Sequence, residues 1–385
     1  MARLGDICTV VSGTTPSSNV PEYWNGDINW ITPAEMTEES GIIFETQRKI
    51  TELAVKKSGL TPFPAGTVLF SSRAPIGKVG IAGAEMYCNQ GFKNLICSDV
   101  IFNKYLYWFL IHKREYLNAL GRGATFKEIS KSLVEGIEIP LPPFETQQTI
   151  ASLLDKVDAL ISLRKKQLQK LDDLVKSRFV EMFGDPKINP YNYLVASLGE
   201  HITFLTSGSR GWAKYCVEDG KEWFITIKNV KDCAISVENM QSINAPSGAE
   251  AERTRVQEGD LLISITADLG RTGVVTKHIA EHGAYINQHL TCIRLDMKVL
   301  NPLYVAYFME TPAGKEQFEA KNQSAVKAGL NFNSINSLRI IIPPIDKQNE
   351  FVTFVKHVDL SRLTIQNGLN KLELLKQSLM RKYFE

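Results

Sequence analysis

The feature that most constrains this 385-residue chain is that it repeats itself. Leu4-Gly5-Asp6 with Ser12-Gly13 recurs as Leu198-Gly199-Glu200 with Ser207-Gly208, and Trp30-Ile31-Thr32 recurs as Phe224-Ile225-Thr226. Gly66-Thr67-Val68-Leu69-Phe70-Ser71, followed by Gly77-Lys78, matches Gly259-Asp260-Leu261-Leu262-Ile263-Ser264, followed by Gly270-Arg271. Asn89-Gln90 matches Asn287-Gln288, and Pro142-Pro143 matches Pro343-Pro344. The offset drifts from 193 to 201, as small loop insertions make it. A period near 200 is too long for a solenoid repeat. The chain is therefore a duplicated two-part unit, a mixed domain followed by a long helix.

Within each domain, short β-rich runs punctuated by glycine (67–71, 78–82, 260–266 and 273–277) read as strands and turns. The aromatic, apolar stretches 103–120 and 302–308 onward have helical spacing. The expected class is α/β or α+β, with enough residues in each domain to bury its own core. The helical parts carry a narrow apolar stripe. In the first it runs through Ile150, Leu153, Leu154, Val157, Leu160, Ile161, Leu168, Leu171 and Leu174. In the second it runs through Phe351, Phe354, Val355, Val358, Ile365, Leu369, Leu372, Leu375 and Leu379. A seam kept over several heptads predicts a coiled coil. Pro-Pro sets the start of each helix, with Glu145 or Asp346 at the positive end of its dipole. Gly184 and Pro186 stop the first helix, and Gly368 is expected to bend or loosen the second. The expected boundaries are a first mixed domain over 1–142, a helix over 143–185, a second domain over 186–343 and a helix over 344–385.

Composition removes other classes. Lys and Arg total 44 and Asp and Glu 42, and each of the stretches 1–140, 141–186 and 187–342 is neutral by itself. None has the basic balance of a self-sufficient nucleic-acid binder, so any grip on DNA must be local or shared with a partner. The six cysteines show no C-x-x-C spacing, which argues against a zinc site and against a secreted disulfide framework. No apolar run reaches membrane-spanning length and the first residues lack a signal-peptide core, so a cytoplasmic protein is expected.

Two such units in one chain imitate a symmetric dimer. If the helices pair antiparallel, a pseudo-two-fold axis relates the halves and sets a domain at each end. A 40-residue helix spans about 60 Å, against about 34–36 Å for one turn of duplex. Two different domains held so would read a split, non-palindromic site.

The run Ile139-Pro140-Leu141-Pro142-Pro143-Phe144-Glu145-Thr146-Gln147-Gln148, continuing to Asp158, resembles the conserved region of specificity subunits of type I restriction–modification systems. Residues 341–351 resemble a weaker copy of it. The segments around 66–80 and 259–273, each followed by Asn-Gln, resemble the target recognition domains of that family. The resemblance implies a DNA-reading subunit without a catalytic centre. It further implies that two modification subunits use S-adenosylmethionine to methylate adenine, and that restriction subunits use ATP and Mg to translocate and cut. No cofactor is then expected in this chain.

Two motifs in the chain resemble enzyme motifs. Asn301-Pro302-Leu303-Tyr304 is like an adenine-methyltransferase motif, but its counterpart Phe102-Asn103-Lys104-Tyr105 marks it as a helix start. His278, His282 and His289 have metal-like spacing, but the surrounding sequence favours a solvated loop. No Walker A loop is present. Groove reading needs Arg or Lys for guanine, amides for adenine and hydroxyls beside them. Glycine-flanked loops supply Thr14, Thr15, Arg73, Lys78, Lys93, Arg122 and Lys127 in the first domain. In the second they supply Ser209, Arg210, Lys214, Lys228, Arg271 and Lys327. Arg73, Arg122, Arg210 and Arg271 lead, because Arg makes the bidentate contact that Lys cannot. The alternative is a coiled-coil scaffold that binds proteins only and shows no DNA dependence.

Overall fold

The computed structural model describes residues 1–385 except 38, 74, 122–126 and 323–328. Two compact units emerge: residues 1–166 with 365–385, and residues 167–364.

The first unit opens and closes on one antiparallel pair, Ala2–Arg3 against Glu138–Ile139. Between them lies a five-stranded sheet in the order Cys8–Val11, Asn94–Cys97, Val68–Phe70, Val79–Ala82, Glu39–Ile43, antiparallel except for the last pair. A smaller sheet holds Trp24–Ile31 between Lys49–Ile50, antiparallel, and Tyr87–Cys88, parallel. The aromatic stretch after residue 102 forms two helices, Asn103–His112 and Arg114–Leu120, rather than one. Tyr105, Phe109 and Trp108 on the first of these are buried against Val68, Phe70 and Ile81 of the sheet.

The second unit follows the same plan. Leu194–Ser197 pairs with Arg339–Ile342, and a four-stranded antiparallel sheet runs Ile202–Ser207, Leu290–Leu295, Leu261–Ser264, Thr272–Val274. A small sheet again places one strand, Glu222–Ile225, between an antiparallel and a parallel neighbour. The helix Pro302–Glu310 packs on the four-stranded sheet, and Pro312–Lys321 packs on that helix. Asn301 is the N-cap of the first, accepting from the Leu303 N–H, so the Asn-Pro-Leu-Tyr motif is a helix start.

The repeated residues explain the shared plan. Ser71 accepts the Lys78 N–H at 2.8 Å and donates to the Pro75 carbonyl, closing the turn between two strands. Ser264 does the same with Arg271 and Asp268. A Cβ on Gly13 would lie 1.9 Å from the Cys88 carbonyl oxygen, and one on Gly208 would lie 2.0 Å from that of Asn287. Only glycine permits that approach, and it brings the loop after the first strand against the Asn-Gln turn.

Each long helix is continuous, Phe144–Phe183 and Ile345–Phe384. The first ends at Gly184, whose φ of +76° turns the chain away. The second runs through Gly368, where bending or loosening was expected, as one continuous helix. A Cβ at that position would meet nothing nearer than Arg164 Nε at 4.0 Å. The loss of one favourable residue is too small to interrupt a helix supported on both sides.

Antiparallel pairing is visible inside each unit. In the first, Ile150, Ala151 and Leu154 share the domain core with Met380 and Phe384, and Asp158 accepts from Lys376 at 2.8 Å. In the second, Phe179 and Phe183 pack on Phe351 with ring centroids 5.4 and 5.6 Å apart, and Asp172 accepts from Arg362 at 2.6 Å. Each domain core therefore absorbs the beginning of one helix and the end of the other. Ile150, Val157, Phe351, Val358 and Leu369 are buried, and Leu168, Leu171, Phe354, Ile365 and Leu372 are half-buried. Leu153, Leu160, Leu174 and Leu375 are exposed and do not belong to the seam. Leu154 and Ile161 of the expected stripe are buried, and Val175 and Phe179 on the first helix and Met380 and Phe384 on the second join them. The apolar stripe is wider than one contact face, and its leucine flank stays outside.

A residue that no apolar pattern flags joins helix to domain. Gln147 is fully buried; its Oε1 accepts the Phe102 N–H at 2.8 Å, and its Nε2 donates to the Val100 and Pro142 carbonyls. Gln348 repeats this with the Asn301 N–H and the Val299 and Pro343 carbonyls. Tyr105 and Tyr304 add matching hydroxyl bonds to the Pro140 and Ile341 carbonyls.

Candidate nucleic-acid interface

In the first unit three loops meet where the large sheet ends. The Ser72 N–H donates to the Gly91 carbonyl at 2.8 Å, and the Ile129 N–H donates to the Ser72 carbonyl at 2.9 Å. This frame places Arg73 beside Glu128, with Nε donating at 2.9 Å, and Lys93 on the other carboxylate oxygen at 3.2 Å. Burial pushes the Glu128 carboxyl up, but the hydrogen bonds from Arg73 and Lys93 outweigh it and hold the acid below its ordinary value. Arg73 keeps its terminal nitrogens and partial exposure. Lys93 is buried and spends its charge inside the protein.

The Thr14–Thr15 segment joins this rim. Thr15 donates to Gln90 Oε1 at 2.5 Å, and the Thr14 carbonyl accepts from Trp30 Nε1. Arg48 lies over the faces of both Trp24 and Trp30, and Trp24 Nε1 holds the Ser17 carbonyl. Lys78 reaches the Pro33 carbonyl at 2.7 Å, and Lys127 is exposed next to Glu128. Arg122 and Lys327 lie outside the described residues. The candidates brought together are thus Thr14, Thr15, Arg73, Lys93 and Lys127, with Gln90 added.

The second unit rebuilds the same frame with other side chains. The Ile265 N–H donates to the His289 carbonyl at 3.0 Å, and the Leu330 N–H to the Ile265 carbonyl at 2.8 Å. Where the first unit has Arg73, Lys93 and Glu128, the second has Thr266, Thr291 and Gly329, so a charged cluster becomes a neutral one. Thr266 Oγ1 lies 2.7 Å from His289 Nδ1, and Gln288 Nε2 lies 3.1 Å from His289 Nε2. Arg271 pairs with Asp268 in the neighbouring turn. Arg210 and Lys228 are exposed, and exposed Lys214 lies over the Tyr215 ring. Ser209 is a correction: it is buried, with its hydroxyl on Thr254, and only its neighbour Arg210 is accessible.

His278 and His282 also depart from expectation. They sit on a short helix, Lys277–His282, not in a solvated loop, and both rings pack on Trp223, His282 stacked at 3.9 Å. Both histidines are exposed on this helix. Among the described residues no group of three or more His, Cys, Asp or Glu is placed to hold a metal. The six cysteines are free, and burial pushes Cys88 up to about 12.

Sequence reasoning missed Gln90, Gln288 and His289 as rim residues. The repeated Asn-Gln pair was the available signal. Asn89 and Asn287 each accept the backbone N–H two residues on, fixing the turn that presents the glutamine.

Comparison with known proteins places this architecture. Residues 1–173 and 220–374 match the family model of the type I restriction modification DNA specificity domain. The chain is 29% identical to the type I restriction enzyme MjaIX specificity subunit of Methanocaldococcus jannaschii, covering 99% of this chain and 91% of that one. It is 24% identical to the EcoprrI specificity subunit of Escherichia coli, with 98% and 91% covered. The crystal structure of a type I restriction-modification S subunit from M. genitalium shares the fold, with a TM-score of 0.60 at 14% identity over 100% of this chain and 95% of that one. Because both repeats fall within the matched residues, the chain belongs to the family of DNA specificity subunits of type I restriction–modification systems.

Proposed function

We propose that each unit reads one half of a bipartite, asymmetric DNA site, and that the paired helices set the spacer and dock two modification subunits. The observation that supports this most is the repetition of one backbone frame carrying unlike side chains: Arg73–Glu128–Lys93 in one unit and Thr266–His289–Gln288 in the other. Like frames with unlike donors suit two readers of different sequences. The chain itself carries no catalytic group in this reading. Methyl transfer from S-adenosylmethionine, and the Mg- and ATP-dependent work of restriction subunits, belong to partners in the cytoplasm. Near-neutral charge in every domain fits a subunit whose partners supply much of the phosphate grip. The protein-only scaffold is not favoured, since the family match spans the domains as well as the helices.

The test is a heptad insertion after Leu163. It keeps the seam in phase and adds about 10.5 Å of helix at 1.5 Å per residue, or roughly 3 base pairs at 3.4 Å each. Methylation mapping of cells carrying the lengthened subunit and its methyltransferase should find the same half-sequences with a longer spacer. An active complex with an unchanged spacer removes the ruler and leaves spacing to the partner subunits.

A further inference from the structure

We propose that Gln288, held by His289 and Thr266, is the adenine reader of the second half-site, while the equivalent Gln90, with its oxygen engaged by Thr15, presents a donor-rich group. This inference rests on the bipartite reading above and assigns part of its specificity.

The argument starts from hydrogen-bond polarity. An amide nitrogen can only donate, so Gln288 Nε2 at 3.1 Å requires His289 Nε2 to accept. The proton of the neutral imidazole is then on Nδ1, which donates to Thr266 Oγ1 at 2.7 Å. This contact uses one N–H of Gln288 and leaves the other N–H and the carbonyl oxygen without a partner among the described residues. One donor beside one acceptor is the pair that adenine offers a complement to, through N7 and the N6 amino group.

Gln90 stands on the same turn with other neighbours. Its Oε1 accepts the Thr15 hydroxyl at 2.5 Å, which uses one of that oxygen's two lone pairs and leaves both N–H donors without a partner among the described residues, so donors outnumber acceptors. Beside it, Arg73 has committed Nε to Glu128, leaving the terminal guanidinium nitrogens. This donor-rich array complements the O6 and N7 acceptors of guanine, or phosphate oxygens, better than the donor–acceptor edge of adenine. The same residue at equivalent places is thus given a different balance of donors and acceptors by its neighbours, Thr15 in one unit and His289 in the other. All the groups concerned are partly exposed at loop ends, so replacing them leaves each domain core intact.

The test uses the full subunit with its methyltransferase partner. Methylation motifs would be mapped for wild type, Gln288→Glu, His289→Ala and Thr266→Val, and the purified complexes would be assayed by competition with duplexes differing at single base pairs. Gln288→Glu keeps an acceptor and removes both donors, and should lose roughly 5- to 150-fold of discrimination for adenine at one position of the second half-site. His289→Ala and Thr266→Val should relax that same position more weakly, with the first half-site unchanged. Gln90→Glu, which keeps the oxygen that Thr15 needs, should weaken only the first half-site and no adenine position in it. Assembled variant complexes that keep wild-type discrimination throughout the second half-site overturn the inference and leave the bipartite reading standing. A wild-type motif without two separable halves overturns the bipartite reading itself, and the inference with it.

Discussion

Replacing Gln348 by Met removes the buried amide that fastens the second long helix to its domain while keeping side-chain volume. The change orphans the Asn301 N–H and the Val299 and Pro343 carbonyls, which the amide meets at 2.8–2.9 Å with no exposure of its own. An unsatisfied buried group costs about 1–3 kcal/mol, and neighbouring losses do not add fully, so about 3–5 kcal/mol is expected. For a unit of this size each kcal/mol lowers the midpoint by roughly 2–4 °C, which places the drop at about 6–20 °C in the transition of that unit. Gln147→Met should do the same to the first unit, because its three bonds are the same three. Differential scanning calorimetry of the two variants and of Gln148→Met, at an exposed neighbouring position, makes the comparison. Gln348→Met and Gln147→Met shifts no larger than that of Gln148→Met would refute the view that these glutamines lock helix to domain.

Two further outcomes follow from the same structure. Gly368→Ala should raise the midpoint of the first unit by a few degrees, since a Cβ there meets nothing within 4.0 Å in an unbroken helix and Ala gains about 1 kcal/mol; a lower midpoint in thermal unfolding would count against a straight helix. Glu128→Gln should remove a pH-dependent contribution. The carboxyl is held below its ordinary value in the fold, so its stabilisation is complete above the unfolded value near 4.3 and is lost as pH falls through the folded one. The difference in midpoint between wild type and variant should therefore shrink between about pH 7 and about pH 3, and a difference constant with pH would contradict the Arg73–Glu128–Lys93 cluster.

Much of this was legible in the chain because the repeat acts as its own comparison. Pro142-Pro143 and Pro343-Pro344 mark helices that begin at Phe144 and Ile345, and Gly184 marks the end of the first. The strand-turn motifs ending in Ser71 and Ser264 sit at equivalent edges of two sheets because each hydroxyl closes the same turn. What failed was pairing over distance. Lys93 looked like a free cation because nothing in its neighbourhood announces Glu128, 35 residues on. Leu153 and Leu160 looked like seam because hydrophobicity and helical spacing do not say which flank of a wide stripe is covered. Gln147 and Gln348, being polar, fall outside the apolar stripe, and only their recurrence after Pro-Pro hints at the buried lock they form. Gln90 and Gln288 are visible as a repeated pair, but their different surroundings depend on Thr15 and His289, whose contacts only the folded loops make.

The central claim is that each unit reads its own half of the site. Exchanging residues 1–142 for the equivalent domain of a relative with a known methylation motif, in a strain carrying the methyltransferase subunit, tests it most directly. Single-molecule sequencing of the genome should find a hybrid motif in which one half-sequence is the relative's and the other half is unchanged, both methylated. A motif altered in both halves, or in neither while methylation persists, would contradict it.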